Sequence, residues 1–69
     1  MKLSARNVVQ GKVVAVTQGA TTAHVKIELA PEITITSSIT NESVDDLKLV
    51  AGQAAYAVVK SSDVMIAID

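Results

Sequence analysis

The sequence predicts an all-β fold interrupted by one short helix. Apolar and polar side chains alternate strictly along several stretches, with the two-residue period of a strand. The chain is 49% hydrophobic, yet it has no Phe, no Trp and a single Tyr, so that content is Val, Ile, Ala and Leu, which suits pleated surfaces and flat, close-packed interfaces. Only the segment after Thr40 changes period.

The elements follow in chain order. Asn7 to Val16 reads as a first strand, with Gly11 marking a bulge or sharp bend. Thr17-Gln18-Gly19-Ala20 supplies a turn, with Gly19 available for a positive φ. Ala23, Val25, Ile27 and Leu29 alternate with His24, Lys26 and Glu28, giving a second strand with one dry and one wet face. Pro31 ends it, because proline cannot donate to a ladder. Ile33, Ile35 and Ile39 alternate with Thr34, Thr36, Ser38 and Thr40 in a third strand faced with hydroxyls. Asn41 then suits an N-cap, Glu42, Asp45 and Asp46 load the first turns, and Val44 and Leu47 lie three apart. These features predict a helix over 42–47, with Gly52 placed to stop the chain's helical run. Ala54–Val59 and Val64–Ile68 read as fourth and fifth strands, each apolar on both faces.

Three strands, a helix and two more strands is the order of an OB-fold-like five-stranded barrel, with residues 1–69 as a single domain. A small barrel has one interior, so strands apolar on both faces need a second apolar surface. In a chain this short, apolar burial and the entropy of ordering nearly cancel, and disulfides, metals or subunits usually supply the difference. With no cysteine and one histidine, self-association is the route left. The expectation is a homo-oligomer.

Composition also narrows function. Six basic against seven acidic residues leave a net charge of −1, which speaks against nucleic acid and anionic membranes as partners. A single aromatic residue removes the platforms on which bases stack. No apolar run is long enough to span a bilayer, and no apolar h-region follows the first residues, so a cytoplasmic location is expected. His24 lies on a wet strand face without a nucleophile or orienting partner in the pattern, so no enzyme activity is expected. No metal-ligating cluster and no cofactor are expected either.

What remains is a set of hydrogen-bond donors. Ser4 and Arg6 precede the first strand, Thr40 and Ser43 bracket the helix start, and Lys60 and Ser61 follow the fourth strand. Hydroxyls, amides, one guanidinium and one ammonium suit a tetrahedral oxyanion that only accepts hydrogen bonds. The same residues also allow plainer roles, a helix cap for Thr40 and Ser43 and a solvated strand end for Lys60.

Three blocks resemble the molbindin, or Mop-type, family: Ser4-Ala5-Arg6-Asn7 with Gly11-Lys12-Val13-Val14, then Ile39–Val44, then Tyr56–Met65. They recur in order over essentially the whole chain. The resemblance implies an OB-like fold, cytoplasmic binding of molybdate or tungstate without turnover, and assembly as hexamers with anion sites between subunits. Carried over by position, it places Ser4, Ala5 (through its backbone amide), Arg6, Thr40, Ser43, Lys60 and Ser61 around the anion. Ser61 stands where alanine is commoner in such domains, and Ala55 where valine is. Two other readings stay open on these residues: an anion-sensing regulatory or interaction module, and a nucleic-acid-binding OB module.

Overall fold

A computed structural model describes residues 1–69. Strands β1 (Asn7–Gln18), β2 (Thr22–Ala30) and β3 (Ile33–Thr40) lead into helix α1 (Asn41–Leu47), followed by β4 (Ala54–Val59) and a 3₁₀ turn at Ser61–Asp63. The strands form one sheet in the order β3-β2-β1-β4, each neighbour antiparallel to the next. The mostly-β class with one short helix is as expected, but the sheet has four strands rather than five. Residues 64–69, expected to hold the fifth strand, make no ladder within the chain.

β1 is the pivot of the sheet. Its first half pairs with β4, from Asn7↔Val59 to Lys12↔Ala54, and its second half with β2, from Lys12↔Glu28 to Gln18↔Ala23. The strand runs two residues past the expected Val16, because the ladder continues after the apolar alternation has stopped. Its register shift falls between Val13 and Ala15, so the bulge lies at Val14 and not at Gly11. Gly11 serves close approach instead. A Cβ there would lie 2.6 Å from the Glu28 carbonyl oxygen and 2.7 Å from Ile27 Cγ2. Gly11→Ala must therefore push β1 and β2 apart. We expect a loss of about 1–3 kcal/mol or more, read from the denaturant midpoint.

The dry face of β2 is the centre of the core. Ala23, Val25 and Ile27 are buried with Val13, Val44 and Ala57. The turn after Pro31 places Glu32 at φ 65°, from which β3 returns along β2.

The helix starts one residue earlier than expected, with Thr40 as its cap. Thr40 Oγ1 accepts from the Ser43 backbone N–H at 3.0 Å and donates to Ser43 Oγ at 2.8 Å. Asn41, the expected cap, is turned to the β1–β2 connection and donates through Nδ2 to the Gly19 carbonyl at 2.9 Å. Lys48, in the left-handed region at φ 53°, ends the helix, and its N–H returns to the Asp45 carbonyl. Gly52 has the positive φ, 95°, but four residues later, where the chain turns toward β4; Gly19 does not use one. Thr40→Ala removes the cap. The ligand-free protein should lose about 1 kcal/mol, seen as a melting point lower by about 4–8 °C at fixed protein concentration.

Candidate functional site

β1 and β4 are neighbours in antiparallel register, with Asn7 opposite Val59. That pairing brings the residues before β1 beside the residues after β4. The two segments border an open cavity of about 410 Å³ lined by Ser4, Ala5, Arg6, Lys60, Ser61 and Ser62. Five of the seven residues singled out in the sequence thus meet at one place. Three hydroxyls, one guanidinium and one ammonium line it, and no carboxylate or aromatic ring does. Lys60 is held extended, at φ −63° and ψ 133°, immediately before the turn. The turn itself is closed by bonds from the Asp63 N–H to the Lys60 carbonyl and from the Val64 N–H to the Ser61 carbonyl. No side-chain hydrogen bond within the chain engages Arg6 or Lys60. Both cations keep their donors available.

Thr40 and Ser43 do not line this cavity. Their side chains bond to each other at the start of α1, in the capping role that the residue types alone allow. Ser62 was not singled out from the sequence. The signal was weak, a second serine beside Ser61, and only the turn shows that both reach the same cavity. Elsewhere, His, Asp and Glu side chains gather nowhere into a group of three able to ligate a metal cation.

Residues 3–66 match the family model described as the TOBE domain. A molybdenum-pterin-binding protein of Clostridium pasteurianum, the third so named, is 48% identical over 66 residues, covering 96% of this chain and 97% of the relative. The chain belongs to the TOBE domain family as a Mop-type member. The resemblance carried by the three sequence blocks is thereby borne out. Among solved structures, a molybdate-binding protein from Sporomusa ovata matches the Mop-type chain with TM-score 0.91 at 29% identity, covering 99% of this chain and all of that one. The molybdate-bound crystal form of ModG, described as a cytoplasmic molybdate-binding protein, matches with TM-score 0.88 at 42% identity. That match covers 94% of the Mop-type chain but 46% of ModG. These likenesses agree with the OB-like architecture expected from the order of elements. No helix of the Mop-type chain is long and apolar enough to cross a membrane.

Proposed function

We propose that the chain binds molybdate or tungstate as intact tetrahedral oxyanions, without chemical turnover, to store or buffer them in the cytoplasm. The observation that carries this reading is the cavity between the β1 entry and the β4 exit, lined by two cations and three hydroxyls and by no carboxylate. A dianion is met there by Arg6 and Lys60 as full charges and by Ser4, Ser61 and the Ala5 backbone amide as neutral donors. The names and molybdate-bound form of the similar proteins support the same ligand. Some of those names speak of a molybdenum–pterin. This cavity has no aromatic wall on which a pterin ring could stack, and Tyr56, the one aromatic residue, lies outside it.

The donor set explains selectivity. Near neutral pH, phosphate carries a proton, and the cavity offers it no carboxylate, only the weaker acceptor lone pairs of serine hydroxyls. Sulfate is also a pure acceptor, so this reading requires that it be rejected by size.

The reading includes a homo-oligomer, a hexamer, with anion sites at subunit contacts. The chain exposes 5526 Å², against roughly 4,100 Å² for a compact folded protein of its mass. Its radius of gyration is 12.8 Å, against about 11 Å for a compact domain of its length. Thr40 and Ser43 are not among the residues that line the cavity of their own chain, and in this reading a neighbouring copy brings them to the anion.

Titration calorimetry in sulfate-free buffer tests the ligand. Molybdate and tungstate should bind, and phosphate should give no saturable heat at the same concentrations. Absence of molybdate binding, or equal binding of phosphate, would contradict the proposal.

A further inference from the structure

The residues before β1 reach two different places. Ser4, Ala5 and Arg6 line the Arg6–Lys60 cavity, whereas Met1 and Leu3 line a separate apolar groove of about 490 Å³. Tyr56 and Val58 of β4 and Leu47 of α1 also line that groove. The changeover falls between Leu3 and Ser4, which are adjacent in the chain. One short strap therefore has an apolar end in the groove and a donor end in the cavity.

Hydrogen bonds do not fix the strap. Residues 1–6 lie outside every helix and strand, and none of the remaining backbone or side-chain hydrogen bonds engages them. β4 stops at Val59, opposite Asn7, so the ladder ends where the strap begins. Leu3 is 52% exposed and Met1 78%, which makes Leu3 the more firmly seated of the two. Ordering a backbone segment costs conformational entropy, and a loose donor segment meets that cost when it binds. A segment already anchored does not.

We propose that Leu3 positions the anion-binding donors: seated in the apolar groove, it holds Ser4, Ala5 and Arg6 in place before the anion arrives. Leu3 itself lies outside the cavity and acts through the three residues that follow it. The two cations differ accordingly. Lys60 leaves a paired strand and enters a turn closed by two backbone bonds, so it needs no such anchor. Arg6 depends on the strap. The inference rests on the oxyanion reading of the cavity and adds the residue that preorganises its β1 side.

Full-length Leu3→Asn removes the anchor at a half-exposed position outside the sheet. Calorimetry should find molybdate bound about tenfold more weakly, as when the binding-competent fraction falls to about one tenth. Leu3→Ile, which keeps an apolar side chain of the same size, should restore the affinity. Non-additivity separates positioning from a general loss of stability. Arg6→Ala should cost less in the Leu3→Asn background than alone, whereas Lys60→Ala should cost the same in both. Backbone order parameters of the ligand-free protein read the strap without any anion. In Leu3→Asn, Ser4, Ala5 and Arg6 should fall to about 0.6 or below, with Val13 and Val25 kept near 0.85. Unchanged order parameters at Ser4–Arg6 overturn the inference, as does full additivity with Arg6→Ala. So does a Leu3→Asn affinity within about twofold of the wild type. A wild type that binds no molybdate overturns the oxyanion reading instead, and the order parameters still decide whether Leu3 anchors the strap.

Discussion

Arg6→Ala should weaken molybdate binding by roughly 10- to 150-fold. A hydrogen bond to a charged group contributes about 1.5–3 kcal/mol net, and each 1.4 kcal/mol is a factor of ten in affinity. Arg6 stands in a cavity whose only other full charge is Lys60, with no carboxylate to compete for it. Its loss leaves a dianion facing one ammonium and a set of hydroxyls. Arg6→Lys should restore only part of the affinity, because a point charge does not reproduce the planar fork of a guanidinium. His24→Ala is the control. His24 is exposed on the outer side of β2, opposite Thr17 and Ser38, and outside the cavity. Calorimetry should find its affinity unchanged, and the reverse pattern would place the anion elsewhere.

Ile66→Asp should dissociate the assembly and unfold the chain in one transition. Six residues are buried in the isolated chain, all apolar and none larger than isoleucine, while Tyr56, Val58, Val64 and Ile66 stay open to water. A core of that size leaves little margin against the entropy of ordering, so folding and association are linked. A carboxylate placed in an apolar contact costs several kcal/mol unless it is paired, which raises the dissociation constant by more than about a hundredfold. Sedimentation at low micromolar concentration reads the outcome. The wild type should run as an oligomer, and a compact, folded 7.2 kDa species would contradict the linkage.

Elements fixed by short-range pattern were legible in the sequence. Ala54–Val59 alternates cleanly and forms the expected strand, and Pro31 ends β2 as its missing N–H requires. Departures arise where a distant partner decides. Asn41 has the right side chain for a cap, but the Gly19 carbonyl claims it, and Thr40 caps instead. Gly11 looks like a bulge from sequence, yet its role comes from the Glu28 and Ile27 atoms beside it on β2. Lys48 carries no left-handed signal, and it takes that conformation as the chain leaves α1. Val64–Ile68 has the pattern of a strand, but pattern says nothing of where its ladder partner lies. The site divides in the same way. Ser4, Ala5, Arg6, Lys60 and Ser61 meet because β1 and β4 are paired in register, whereas Thr40 and Ser43 face a local cap and not the cavity.

Native mass spectrometry of the intact assembly, after exposure to molybdate and removal of free anion, reports subunit number and bound oxyanion together. The expected result is a homo-oligomer of 7.2 kDa chains, six by the present proposal, carrying molybdate that is lost in Arg6→Ala. A monomer, or an oligomer that retains no molybdate, would contradict it.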